Sequence, residues 1–409
     1  MKPRAIKRTL EKAVQTFPAL VLTGPRQSGK TTLFKSLFSG THRFISLENP
    51  DVRLRVKDDP NGFLADHPAP LILDEIQYCP ELLSFLKTRI DEQRKPGQYL
   101  LTGSQNFALM QGVTQSLAGR AAILSLLPFS LSERLGYGDT AEDSTGWMQI
   151  LPRTGQSYEC QTSLEELILR GHYPEIASHK NVDRKLWCSS YVSTYLERDV
   201  RNLAQIGDLN VFERFLRSCA VRTGQILNMS ELSRDLGVSV PTVKRWLSVL
   251  EASYQIYLLY PYYRNIGKRL VKAPKLYFVD TALASYLLGL NDKDTLMGSP
   301  HFGNLFETFI VTDILKRFYH SGENKPPLYY LRTRDGLEID LVIEVGGRLS
   351  LLEIKSAMTI TPKFAEPLRK VLADPKSRAK QAVLISRYGE TFGFGPNIIH
   401  KNWKNVLGA

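Results

Sequence analysis

The sequence predicts an α/β chain of more than one domain: a parallel-sheet unit, then a helical middle, then a second unit rich in strands. Three observations carry this. Ala19–Thr23, a glycine loop and Thr32–Phe38 follow one another as strand, turn and helix. Two further short apolar runs, Leu71–Leu73 and Tyr99–Leu101, each end in polar residues, as strands of a parallel sheet do at the edge where ligands bind. The last 110 residues read as one long helix followed by three strands.

The first unit is the most specific. Gly24, Pro25, Arg26, Gln27, Ser28, Gly29, Lys30 and Thr31 satisfy the P-loop spacing G-x-x-x-x-G-K-[ST], and Thr32 continues into a helix with Leu33, Phe34, Leu37 and Phe38 at helical spacing. The glycines let backbone N–H groups turn inward, and the helix N-terminus adds partial positive charge beneath a phosphate. Lys30 is expected to reach the β/γ-phosphates of a nucleoside triphosphate and Thr31 to ligate magnesium. A chance glycine turn is the competing reading, and it does not require the flanking strand and helix.

The second strand ends in Asp74-Glu75. Beside a P-loop, this pair separates metal holding by Asp74 from activation of water by Glu75. The third strand, Gln98–Thr102, leads to Gly103-Ser104-Gln105-Asn106, where Ser104 is the expected sensor of the γ-phosphate. Arg120, ahead of the apolar run Ala121–Leu127, is a candidate arginine finger acting in cis or across a subunit boundary; an ordinary surface arginine is the alternative. Arg4 and Arg8 precede the first strand and are candidates to lie near a base.

Residues 136–163 are poor in periodic apolar residues and read as a linker or insertion. Arg184–Leu203 reads as a helix. The 409 residues hold 53 Lys/Arg against 41 Asp/Glu, a net charge of +12. Between Arg184 and Lys275 there are 15 Lys/Arg and 7 Asp/Glu, a surplus of eight, so two thirds of the excess lies in under a quarter of the chain. There Ser230 is expected to cap a helix through Leu236, Gly237–Ser239 to turn, and a second helix to run from Val240 to Ala252 with Val240, Val243, Leu247 and Leu250 on one face. Thr242, Lys244 and Arg245 point away from that face, as groove-contacting side chains would. The run Arg264 to Lys275, with Arg264, Lys268, Arg269, Lys272 and Lys275 and no acid, would attract a polyanion. Double-stranded or branched DNA is the expected partner, and a solvated basic face is the alternative.

In the last unit, Gly303–Tyr319 reads as a helix carrying Glu307, and Leu328–Leu331, Glu338–Glu344 and Leu349–Lys355 as strands. Alternate residues share a strand face, so Glu353 and Lys355 project together toward Asp340 on the next strand. Glu307, Asp340 and Glu353 form a candidate magnesium site, with Lys355 activating water or stabilising the transferred phosphate. The competing reading is an ion pair between Glu353 and Lys355.

Cys79, Cys160, Cys188 and Cys219 are widely spaced without metal-ligand partners and read as reduced. No apolar stretch approaches the ~18 residues that would cross a membrane, and the N-terminus lacks an apolar signal core, so a cytoplasmic location without membrane contact is expected.

The runs GPRQSGKTTL, LILDEIQ, LLTGSQNF, SLAGR, LPFSLSE, GHYPE, YLERDV and PKLYFVDTALA resemble bacterial and archaeal AAA-type ATPases with a C-terminal domain of unknown function, over nearly the whole chain. The resemblance implies a five-strand ATPase sheet, a helical and winged-helix region, a C-terminal domain of restriction-endonuclease-like fold, and ATP rather than GTP. The helix and strands around Asp340 and Glu353-x-Lys355 are similar to the PD-(D/E)XK nucleases, with Ile339 in place of the proline. The expected domains are 1–135 (ATPase), 136–163 (linker or insertion), 164–295 (helical and winged-helix) and 296–409 (nuclease-like). The expected function is a magnesium-dependent ATPase whose nucleotide state controls a DNA-directed C-terminal half. An ATP-gated module for a protein partner, with an inactive nuclease-like domain, is the alternative; a homo-oligomer fits either.

Overall fold

The computed structural model describes residues 2–104, 116–151, 160–196, 208–262, 273–333, 335–375 and 377–408. Gln105, Asn106, Arg264, Lys268, Arg269 and Lys272 therefore lie outside the described residues. Strands β1 (Ala19–Thr23), β2 (Arg43–Ser46), β3 (Leu71–Asp74), β4 (Tyr99–Thr102) and β5 (Ala121–Ser125) form one parallel sheet in the order β2-β3-β4-β1-β5. Parallel strands are covered on both faces, which is why β1, β3 and β4 read as unbroken apolar runs. Leu20 and Leu22 enter one core with Ile6, Leu33 and Phe34, while Ala19 and Val21 enter the opposite core with Leu82 and Leu86. This order sets β1, β4 and β3 side by side, so the polar residues that end them, Thr23, Thr102 and Asp74, gather along one edge.

The described part of the expected linker holds a helix that its composition does not imply. Asp143 caps a helix, Ser144–Ile150, whose Trp147 is buried and donates its indole N–H to the Val406 carbonyl at 2.8 Å. One large aromatic anchors the stretch where apolar periodicity is missing. Arg184–Tyr191 is helical as expected, then loosens into a π-helical turn over Val192–Leu196.

The helix-turn-helix forms with one change at its start. Asn228, not Ser230, caps the first helix, because its side-chain oxygen accepts from the N–H groups of both Ser230 and Glu231, and the helix runs Met229–Leu236. Gly237 ends it at φ 68°, and Ser239 caps Val240–Ala252. A three-stranded sheet packs beside it: β6 (Gln225–Ile226), β7 (Ile256–Leu259) and β8 (Lys275–Phe278), antiparallel in the order β6-β8-β7.

The last unit is a helix, Phe302–His320, on a mixed sheet of β9 (Leu328–Arg332), β10 (Glu338–Val345), β11 (Arg348–Ile354), β12 (Ala379–Ser386), β13 (Phe392–Gly393) and β14 (Ile398–Asn402), in the order β13-β14-β12-β11-β10-β9. One apolar core runs from Leu127 through the helix-turn-helix to Leu407, and the Phe302–His320 helix, with fifteen of its nineteen residues buried, contributes to it along its length. The helical middle and the last unit thus share a core rather than meeting at a thin linker.

Buried charge joins that core to the first sheet. Arg4 donates to Glu133 Oε1 at 3.0 Å and to the carbonyls of Ser28 and Leu127 at 2.9 and 2.6 Å. Burial would raise the Glu133 carboxyl, but Arg4 and the N–H groups of Ser130 and Ala5 outweigh it and hold it below its ordinary value. His320 Nδ1 lies 3.3 Å from Glu133, yet burial lowers its pKa to about 4, so at neutral pH this contact is not an ion pair. Among the described residues no helix is long and apolar enough to cross a membrane.

Candidate functional site

The loop after β1 is built to approach other groups closely. Gly24 sits at φ 143°, and a Cβ there would lie 2.2 Å from the Leu126 carbonyl oxygen; Gly29, at φ 94°, caps the following helix. Arg4 braces the loop from below through the Ser28 carbonyl, and Arg8 donates to the Asp139 carbonyl at 3.0 Å. Lys30 is buried, and its ammonium donates to the carbonyls of Gly24 and Pro25 at 3.0 and 2.8 Å. Burial lowers its pKa to about 8, opposed by Glu75 and Asp74.

The acidic residues gather opposite. Thr31 and Thr102 both donate to Asp74 Oδ1, at 2.7 and 2.6 Å, and Thr102 Oγ1 accepts from the Glu75 N–H at 3.1 Å. Glu75 holds φ 58°, a conformation that costs a non-glycine residue of order 1–3 kcal/mol and is found preferentially at functional sites. Gln77 donates its amide to both Glu75 Oε2 and Ser104 Oγ, the latter at 3.0 Å. The structure therefore brings together Lys30, Thr31, Asp74 and Glu75, and ties Ser104 to them through Gln77. A cavity of about 400 Å³ opens here, lined among others by Arg26, Gln27, Thr32, Glu75 and, from the helical middle, Tyr191 and Thr194. Thr31 and Asp74 offer hard oxygen donors of the kind magnesium takes, and a bound phosphate would supply further oxygens.

Arg120 falls elsewhere. It precedes β5, at the edge of the sheet opposite the loop, and its guanidinium grips Asp91 at 2.6 and 2.8 Å. It cannot reach this cavity within one chain.

Two neighbouring residues just after the helix-turn-helix touch residues that adjoin the site. Tyr254, in the turn after Val240–Ala252, adopts φ 56°, and its hydroxyl bonds Ser125 Oγ at 2.5 Å and Thr23 Oγ1 at 3.2 Å. Thr23 is the residue before Gly24. Gln255 donates to the hydroxyl of Tyr191, a residue of the cavity wall, at 3.1 Å, and Tyr191 stacks on Trp187.

Residues 16–135 match the model of an AAA domain, 161–294 a domain of unknown function (DUF8612), and 302–402 another (DUF4143). The uncharacterized protein Rv2008c of Mycobacterium tuberculosis is 31% identical over 367 residues, spanning 89% of this chain and 76% of that protein, and Mb2031c of Mycobacterium bovis matches equally. The chain belongs to the AAA-type P-loop ATPases. Among solved structures, the Walker-type ATPase PABY2304 of Pyrococcus abyssi aligns with a TM-score of 0.44 at 15% identity, covering 70% of this chain and 99% of that one.

The ATPase also assembles the second expected cluster. Asp340, Glu353 and Lys355 converge with Glu307: Lys355 Nζ lies 2.6 Å from Glu353 and 3.5 Å from Asp340. A residue not expected there stands among them. Lys275 Nζ lies 2.7 Å from Glu338, 3.2 Å from Glu307 and 3.4 Å from Asp340, with only 3% of its side chain exposed. This corrects its assignment to the exposed basic run. Burial and then Asp340 push the carboxyls of Glu307 and Glu353 up. Burial would lower the Lys275 ammonium, but Glu307, Asp340 and Glu338 raise it overall. Among the described residues no group of three or more His, Cys, Asp or Glu is arranged to hold a metal ion, and the carboxylates expected to hold one, Glu307, Asp340 and Glu353, are bridged instead by Lys275 and Lys355.

On the second helix of the helix-turn-helix, Lys244 and Arg245 are exposed, while Thr242 is half-buried with its hydroxyl engaged by Ser239 at 2.8 Å. Sequence reasoning missed Gln77, Thr102, Tyr191, Tyr254 and Lys275. A polar residue closing an apolar strand was a signal for Thr102; the others are brought in by tertiary packing.

Proposed function

We propose that this ATPase binds and hydrolyses ATP with magnesium in the cytoplasm, and that its nucleotide state is passed to a DNA-binding helix-turn-helix. The observation that carries the reading is the pair Tyr254–Gln255: one side chain touches Thr23 at the root of the phosphate loop, the next touches Tyr191 on the cavity wall.

In this reading the loop N–H groups and Lys30 bind the β/γ-phosphates, with Lys30 exchanging its two carbonyl partners for phosphate oxygens. Thr31 and Asp74 hold the magnesium, which neutralises charge developing on the phosphates. Glu75 orients and deprotonates the attacking water, its carboxylate steadied by Gln77, and Ser104 reports the γ-phosphate through that same amide. Loss of the γ-phosphate alters the loop, and Tyr254 and Gln255 carry the change into the helix that bears Lys244 and Arg245. These two, with Arg264, Lys268, Arg269 and Lys272, supply the cations for DNA.

The test is anisotropy of a labelled duplex and of a branched DNA at 50–200 mM salt, with ATP and without, alongside phosphate release. Affinity that falls steeply with salt, changes with ATP and loses that change in Lys30→Ala supports the reading. No binding at 50 mM salt, with hydrolysis intact, overturns the DNA half and favours a protein partner. That second reading draws on Lys275, which leaves the C-terminal carboxylates without room for a metal.

A further inference from the structure

We propose that the Lys275 ammonium is a built-in cation occupying the place a divalent metal would take in the Glu307–Glu338–Asp340–Glu353 cluster, so that the native chain holds no metal there.

The cluster draws its groups from three elements: Glu307 from the long helix, Glu338 and Asp340 from β10, Glu353 from the end of β11. Lys275 comes from a fourth, the first residue of β8, and its Nζ meets three of the four carboxylates. Tyr277 lies two residues further along the same strand face and donates to Glu307 Oε1 at 2.6 Å, the oxygen Lys275 also reaches. Strand β8 thus delivers two donors into the cluster at once. It is paired on both edges, with β6 and with β7, so the backbone that carries both donors is held in place.

The remaining lone pairs are mostly spoken for. Asp340 Oδ1 faces Lys275, while its Oδ2 accepts from the Ile354 N–H at 2.9 Å and faces Lys355 at 3.5 Å. Glu353 Oε1 takes Lys355, while the buried Glu353 Oε2 is without a hydrogen-bond partner. Magnesium demands near-octahedral oxygen ligation at about 2.0–2.1 Å, and an ion bound to Asp340 Oδ1 and Glu307 Oε1 would have to share both oxygens with a buried ammonium. Like charges so close in a poorly solvated interior repel strongly. The orphaned Glu353 oxygen marks what is left of a metal position once an internal cation has filled it.

The experiment is Mn²⁺ binding followed by electron paramagnetic resonance on nucleotide-free protein, so that any contribution from Thr31 and Asp74 is common to all samples. Wild type and Asp340→Asn are expected to bind the same number of Mn²⁺ ions. Lys275→Met is expected to bind one more, at least tenfold tighter than any site in wild type, to gain thermal stability from Mn²⁺, and to lose both in Lys275→Met/Asp340→Asn. A Mn²⁺ ion present in wild type and absent from Asp340→Asn overturns the proposal, as does a folded Lys275→Met that gains none. If Lys275→Met does not fold, the comparison of wild type with Asp340→Asn decides alone.

Discussion

Two lysines in this chain stand beside acidic strand ends, and their surroundings treat them in opposite ways. Lys30 bonds only to backbone carbonyls, while Asp74 and Glu75 across the cavity are held by threonine hydroxyls and an amide. Lys275 binds the carboxylates themselves. The residue types are the same, a lysine and two or more acids. Where opposite charges are kept apart by neutral partners, the charges remain available to a triphosphate and its metal. Where they are allowed to meet, they neutralise one another and the ensemble becomes part of the core.

This contrast can be broken or sharpened by substitution. The largest effect is expected from Glu75→Gln, which should retain ATP binding but lower hydrolysis by ~10²–10⁴-fold, measured by phosphate release beside a fluorescent-nucleotide titration. Unchanged turnover would remove Glu75 from the chemistry. Next, Lys275→Ala should cost about 3–5 kcal/mol in denaturant unfolding, because it strands buried carboxylates. Lys30→Ala should cost far less stability while abolishing ATP-dependent behaviour; equal costs for the two would erase the distinction.

A smaller change is expected from Tyr254→Phe, which keeps the ring but deletes two hydrogen bonds, for about 1 kcal/mol. Its ATP hydrolysis should persist while DNA affinity stops responding to ATP; an intact response would place the coupling elsewhere. The smallest effect concerns pH. His320 has a folded pKa of about 4, below its ordinary 6.5, so the unfolded chain binds more protons between those values. The stability from neutral His320 is present above pH 6.5 and lost as pH falls through 4. Asp313, raised by burial to about 6, works in the opposite sense and offsets part of that loss. Between pH 7 and 4.5, His320→Gln should gain on wild type by on the order of 1–2 kcal/mol, read from urea midpoints; parallel pH profiles would count against it.

The parts of the molecule that were legible in sequence are those written in local spacing. The phosphate loop, the strands β1, β3 and β4, the helix Val240–Ala252 and the three strands around Asp340 all follow from glycine placement or apolar period, whereas the count of five strands came from the family resemblance. Helix ends were less legible, because Asn228 and Ser230 are both good caps and only the backbone angle decides between them. Least legible were residues whose partner is far along the chain. Lys275 sat in a run of cations, and nothing nearby in sequence distinguishes it from Lys272; the acids that bury it lie 32 to 65 positions away. Arg120 misled for the same reason, since its position relative to the loop depends on the direction in which β5 runs.

The long helix Phe302–His320 has a consequence for how the two halves can be tuned. Glu307 near its start belongs to the carboxylate cluster, and His320 at its end lies against Glu133 and accepts a hydrogen bond from Thr9 at its carbonyl, 3.1 Å away. Thirteen positions separate them, a span of about 20 Å at 1.5 Å per residue. Walled in on nearly every side, the helix acts as a ruler that fixes the separation between the ATPase sheet and the C-terminal unit. Inserting one alanine within it would turn its two ends by about 100° relative to each other, so that only one could keep its register. Loops elsewhere can absorb an added residue; here chain length itself is a structural parameter.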